Sequence, residues 1–168
     1  MKTLTLLRHA KSSWDDSGLA DHERPLNDRG ARDAPEMARR IHEAAIRPSL
    51  IVSSPARRTW ETAKALAREI SYPIEFLQRD NKLYLASLDT LIDYVSQQDS
   101  GFNSVVVVGH NPGMTEFANF LSPGVTNNMP TCGLVSVTID SDDWSLRKNS
   151  AITLDLYDFP KRLSTRLR

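Results

Sequence analysis

The chain has 168 residues, enough for one domain with a sizeable core and no disulfide staples. Lysine and arginine total 21 and aspartate and glutamate total 21, so the formal net charge of zero excludes a general pull toward nucleic acid or an anionic membrane. The single cysteine, Cys132, excludes an internal disulfide, and no basic stretch followed by a long apolar segment marks a signal peptide or membrane span, which points to a cytoplasmic protein.

The predicted elements alternate in the manner of βα units around a mainly parallel sheet. Residues 4–7, 50–52 and 105–108 are short apolar runs without alternation, as in interior strands. Between the first two, Met37, Ala38, Ile41, Ala44 and Ala45 recur at helical spacing. Asp33-Ala34-Pro35-Glu36 reads as a capping box with proline near a helix start, which puts residues 27–32 outside this helix; the alternative is a helix from near Asp28 bent at Pro35. A second helix begins at about Pro55 and carries Ala63, Leu66, Ala67 and Ile70. Leu88, Leu91, Ile92 and Val95 form a third stripe behind Ser87 as N-cap, and a fourth helix follows Pro112 with Phe117, Ala118, Phe120 and Leu121. Residues 134–139 and 152–156 are late strands separated by a turn at Ser141-Asp142-Asp143, extending the sheet at its edge. No repeat, low-complexity tract or linker interrupts the pattern, so a single domain is expected over residues 1–168.

Two of the predicted strands run into a histidine, in Leu6-Leu7-Arg8-His9-Ala10 and in Val108-Gly109-His110-Asn111-Pro112-Gly113. In α/β sheets ligands bind beyond the carboxyl ends of the strands, so both histidines can share one crevice. Arg8 offers a planar fork of donors suited to a phosphoryl group. His9 beside it is a candidate nucleophile, although a lone histidine after a strand is more often structural. Arg57 and Arg58 follow Ser53-Ser54-Pro55-Ala56 at a helix N-terminus, where free backbone N–H groups favour an anion; in isolation they read equally well as two solvated arginines. His110 is either a donor to a phosphoryl oxygen or a satisfied turn histidine. His22 and His42 show no ligand-like spacing with these and no phosphate-binding Gly-x-x-x-x-Gly-Lys-Ser/Thr loop occurs, so neither a metal nor a cofactor is expected.

Leu7-Arg8-His9-Ala10 resembles the Arg-His-Gly signature of the histidine phosphatase superfamily, which includes the phosphoglycerate mutases, and the resemblance is closer to the SixA-type phosphohistidine phosphatases. It continues in order through Asp21-His22-Glu23-Arg24-Pro25-Leu26-Asn27-Asp28-Arg29-Gly30, Ser53-Ser54-Pro55-Ala56-Arg57-Arg58-Thr59-Trp60-Glu61-Thr62, Leu83-Tyr84, Val108-Gly109-His110-Asn111-Pro112-Gly113 and Met129-Pro130-Thr131. The resemblance implies an α/β three-layer sandwich with a mainly parallel central sheet flanked by helices. It implies that His9 is phosphorylated, that Arg8 and Arg58 clamp phosphate with Arg57 as the second choice, and that His110 completes the catalytic set. Asn27, Arg57 and Asn111 are the candidate substrate-binding positions.

Alanine replaces the signature glycine at position 10, and the stretch Arg79-Asp80-Asn81-Lys82-Leu83-Tyr84 lacks the glutamate with which mutase-like relatives protonate the leaving oxygen. Asp80 is the nearest candidate acid and reads better as a solvated loop residue. A site without a strong acid suits phosphohistidine, whose imidazole leaves easily, better than a sugar phosphate. The expectation is a metal-independent phosphatase working through a phosphohistidine intermediate on protein phosphohistidine. The alternatives are a small-molecule phosphomonoester phosphatase and a phosphate-recognition module without turnover. The expected partner is a phosphorylated protein or small molecule, with no nucleic acid and no membrane.

Overall fold

The computed structural model describes residues 1–162. Six strands, β1 (Lys2–Arg8), β2 (Leu50–Ser53), β3 (Gln78–Arg79), β4 (Ser104–Gly109), β5 (Leu134–Ile139) and β6 (Ile152–Asp158), form one sheet in the order β3-β2-β4-β1-β5-β6. The four strands from β3 to β1 are parallel, and β5 and β6 continue the sheet antiparallel to the far edge. The sheet is therefore parallel where it is most deeply covered, as the unalternated valines of β4 require.

Successive residues of a strand face opposite sides, and both sides are packed. Val105 and Val107 join Leu4, Leu6, Leu50 and Val52 under helices α3 (Leu88–Ser96) and α4 (Gly113–Leu121), with Trp144 fully enclosed among them. Val106 and Val108 join Leu7 and Ile51 under α1 (Asp28–Glu43) and α2 (Arg57–Glu69). These are the three layers, with one packed apolar cluster on each face of the sheet. The last six residues of the expected single domain, 163–168, lie outside the described residues.

The entry to α1 differs from the capping-box reading. The helix runs unbroken from Asp28 through Pro35, and residues 28–32 belong to it. Asn27 is the N-cap, its Oδ1 accepting from Gly30 N at 2.9 Å, while its own N–H donates to the Lys11 carbonyl at 2.9 Å. Pro35 removes one helical hydrogen bond. Burial of Gly30, Ala34, Met37, Ala38 and Ile41 along one face outweighs that loss. Gly30 is needed here because a Cβ would lie 2.1 Å from the Lys11 carbonyl oxygen. At the other end Ala44 and Ala45 do not extend the helix: Ala45 sits at φ 60°, and N–H groups of Ala45 and Ile46 close onto the carbonyls of His42 and Ile41. The second helix starts at Arg57, two residues beyond the expected Pro55.

Candidate active site

Strand register builds the site. β1 and β4 pair so that Arg8 lies beside Gly109, and His9 N–H then donates to the Gly109 carbonyl at 3.1 Å. His9 and His110 thus leave the sheet side by side, with ring centroids 5.5 Å apart. On the other side of β4, Ser54 N–H donates to the Val108 carbonyl at 3.1 Å, which brings the start of α2 to the same crevice. The loop after residue 128 secures the far flank, where Cys132 N–H donates to the His9 carbonyl at 2.9 Å and Arg8 N–H to the Gly133 carbonyl at 3.0 Å.

His9 is 7% exposed, and its Nδ1 lies 2.7 Å from the Ala10 carbonyl oxygen. A carbonyl only accepts, so Nδ1 carries the proton and Nε2 keeps its lone pair. Burial pushes the ring's pKa down to about 3, with His110, Arg58 and Arg8 adding to the fall. His110 is 3% exposed, and its ring is also neutral. Arg58 Nη2 donates to its Nδ1 at 3.2 Å and its Nε2 donates to Ser54 Oγ at 2.7 Å. Burial, and then the Arg58 charge, lower its pKa to about 3.

The unfolded chain protonates both rings near 6.5 and the folded protein only near 3, so below 6.5 the unfolded state binds more protons. Stability is therefore full above pH 6.5 and declines as pH falls toward 3. At pH 5 the expected loss is about 2 kcal/mol per histidine, read as a lower urea midpoint than at pH 7. Equal midpoints would show that the rings are not held neutral.

Two guanidinium groups complete the cluster. Arg8 Nη1 donates to the Met129 carbonyl at 2.8 Å, but its Nε–H is buried without a partner among the described residues. Desolvation and the Arg58 charge both lower the pKa of Arg8. Arg58, 4% exposed, donates from Nη1 to the Asp21 carbonyl at 2.8 Å and from Nη2 to Asp21 Oδ2 at 3.0 Å. Neighbouring residues on a helix point about 100° apart, and this separates the two arginines of the first turn. Arg58 turns inward, whereas the Arg57 side chain is 58% exposed and pairs with Glu61 at 2.7 Å.

The remaining candidates hold the framework. Asn27 caps α1. Asn111 Nδ2 donates to Asn128 Oδ1 and to the Met129 carbonyl that Arg8 also uses, while its Oδ1 accepts from Thr115. Asp80 Oδ1 accepts from Lys82 N at 2.9 Å, capping a short 3-10 helix at Asn81–Leu83. Cys132 is fully buried with its thiol pKa pushed up by desolvation, which leaves it a packing residue.

Asp21 and Tyr84 were not singled out from sequence. Asp21 opens a 3-10 turn at Asp21–Glu23 and takes hydrogen bonds from Tyr84 Oη, Arg58 and Arg24, the last at 3.1 Å. Tyr84 and the two arginines hold this carboxyl well below the usual range. The Tyr84 ring stands edge-on to His110 at 5.4 Å. The chain returns after Trp14, with Ser13 N–H donating to the Pro25 carbonyl, and only this return brings Asp21 to the pocket.

A buried neutral imidazole with a bare nitrogen, at the ends of parallel strands and within the field of two guanidinium groups, can hold an oxyanion and offer it a nucleophile. Residues 4–80 match the histidine phosphatase superfamily (branch 1). The chain is 32% identical over 156 residues to an uncharacterised chloroplastic protein of Arabidopsis thaliana, covering 85% of this chain and 69% of that one. Among solved structures, a protein of Agrobacterium tumefaciens provisionally named phosphohistidine phosphatase SixA superposes with a TM-score of 0.79 at 27% identity, over 95% of this chain and 98% of that one. Protein histidine phosphatase SixA complexed with tungstate gives 0.78 at 22%, over 94% and 97%. A mycobacterial glucosyl-3-phosphoglycerate phosphatase gives 0.66 at 16%, over 94% and 98%. The chain belongs to the histidine phosphatase superfamily and is of the SixA type. That membership supports a phosphatase.

Proposed function

We propose that the protein hydrolyses protein phosphohistidine through a phosphohistidine formed on its own His9, with no metal. The observation that carries this reading is the unprotonated Nε2 of buried His9 next to Arg8, whose buried Nε–H has no partner among the described residues. Buried donors are rarely left unpaired, and a phosphoryl oxygen satisfies this one. His9 Nε2 attacks phosphorus in line while Arg8 and Arg58 hold the equatorial oxygens and His110 keeps Arg58 seated. The P–N bond to the substrate ring breaks as the P–N bond to Nε2 forms. A substrate imidazole already protonated on its other nitrogen leaves neutral, and the positive charge passes to the His9 ring, where the Ala10 carbonyl accepts from Nδ1–H. Water then attacks phosphorus, the bond to Nε2 breaks, both water protons leave with the phosphate, and His9 returns neutral.

No step calls for a carboxylic acid, and this favours a phosphoramidate over an alkyl ester. Asp80 is occupied as a cap and Asp21 is held ionised. The positive charge that a metal supplies elsewhere comes here from the two guanidinium groups. A role in signalling and a cytoplasmic location go with this reading, and no helix among the described residues is long and apolar enough to cross a membrane. Turnover of a phosphohistidine peptide is expected to exceed that of simple phosphomonoesters by at least 10²-fold, the usual contribution of the acid that esters need. Preference for the monoesters overturns the substrate assignment in favour of a small-molecule phosphatase. Binding of the peptide without multiple turnover would leave only a recognition module.

A further inference from the structure

We propose that Asp21 selects substrates by the charge of their leaving group, admitting cationic or N–H-bearing groups and rejecting those that carry a carboxylate beside the phosphoryl group. The inference rests on the phosphoryl site proposed for His9, Arg8 and Arg58. His9 forms the floor of that site, 7% exposed, so in-line attack sends the leaving group outward toward solvent. Asp21 meets the solvent beside Arg58, a clamp of that site. Its side chain is 44% exposed, yet its Oδ2 is 3.0 Å from Arg58 Nη2. Any oxygen held by Arg58 therefore sits next to this carboxylate, and a substituent leaving past it meets a fixed negative charge.

The surroundings fix the carboxylate in place with one edge open to solvent. Tyr84 Oη and Arg58 share Oδ2, and Arg24 holds Oδ1 at 3.1 Å. Arg24 is itself only 7% exposed. Its Nη2 donates to Ser12 Oγ and its Nε to the Ser13 carbonyl, and the Trp14 ring covers the guanidinium at 3.3 Å. The arginine is roofed by an aromatic ring while its aspartate partner faces the solvent. A substrate approaching along the open side meets the carboxylate before the cation. Exposed Trp14 thereby holds Arg24 in place behind Asp21.

The test compares kcat/KM for N-phosphorylimidazole and for N-phosphorylimidazole bearing an acetate substituent, in the wild-type protein and in Asp21→Asn and Asp21→Glu. The wild type is expected to prefer the uncharged compound by about fivefold, the scale of one partly exposed charge pair. Asp21→Asn is expected to erase that preference and Asp21→Glu to keep it. Asn also disturbs Arg58, but a poorly seated clamp slows both substrates alike and cancels in the ratio. An unchanged ratio in Asp21→Asn, or its loss in Asp21→Glu as well, overturns the proposal and leaves Asp21 as a support for Arg58. Should the protein act on esters instead of phosphoramidates, phosphoethanolamine and phosphoglycolate set a cationic against an anionic leaving group, so failure of the substrate assignment is distinguishable from failure of the role of Asp21.

Discussion

Replacing His9 with alanine lowers turnover by about 10⁴-fold or more and leaves a protein that takes up no acid-labile phosphate from a phosphorylated substrate. The loss is this large because no other nitrogen among the described residues of the pocket can take over. His110 is 5.5 Å away, but its Nδ1 lone pair receives Arg58 and its Nε2 carries the proton given to Ser54. The fold survives the change, since the backbone bonds of residue 9 to Gly109 and Cys132 do not involve the ring. The ring's own hydrogen bond goes to its immediate neighbour, Ala10. Labelling with a radioactive phosphoramidate, followed by acid treatment, is the measurement. Full labelling of the alanine variant would move the nucleophile elsewhere.

Arg58→Met is expected to reduce kcat/KM by about 10²- to 10³-fold, the scale seen when one preorganised donor to a developing oxyanion is removed. Methionine fills a similar volume along the inner face of α2 but supplies no charge and no hydrogen bond. His110 Nδ1 and Asp21 Oδ2 each lose a donor at the same time, so the change also loosens the ring beside the nucleophile. The control is the preceding residue. Arg57→Met breaks only an exposed pair with Glu61, worth at most about 1 kcal/mol, and is expected to leave kcat/KM within about twofold. Comparable losses in both variants would show that the first turn of α2 acts by its overall charge and not by a placed donor.

Interior strands are the most legible elements of this chain because burial on both faces leaves a distinct mark, an unbroken run such as Val105-Val106-Val107-Val108. The start of α1 was legible only as an alternative. Asp33-Ala34-Pro35-Glu36 satisfies every local rule for a helix start, and it loses to Asn27 because Gly30 packs against the Lys11 backbone, a contact between segments 19 residues apart. The two-residue strand β3 left no pattern, being too short for any period and exposed at the sheet edge. Within the site, the strand-end histidines and Arg8 announced themselves by position. Asn111 did not show in advance that both ends of its amide are spent inside the protein, holding the Met129 carbonyl that also seats Arg8.

By itself the sequence determined the order of every strand and helix but β3 and the strand-end places of Arg8, His9 and His110, because each of these is a matter of residue type and local spacing; the family resemblance added Arg58 and the missing glutamate. Tertiary structure decided the rest. It turned Arg58 into the pocket and Arg57 out to Glu61, set the tautomers of His9 and His110 through the Ala10 carbonyl and Ser54, and brought Asp21 to the rim beside Tyr84. Proton positions and fixed charges depend on which groups meet across distant parts of the chain. Here those meetings arise from strand register and from a loop that returns on itself.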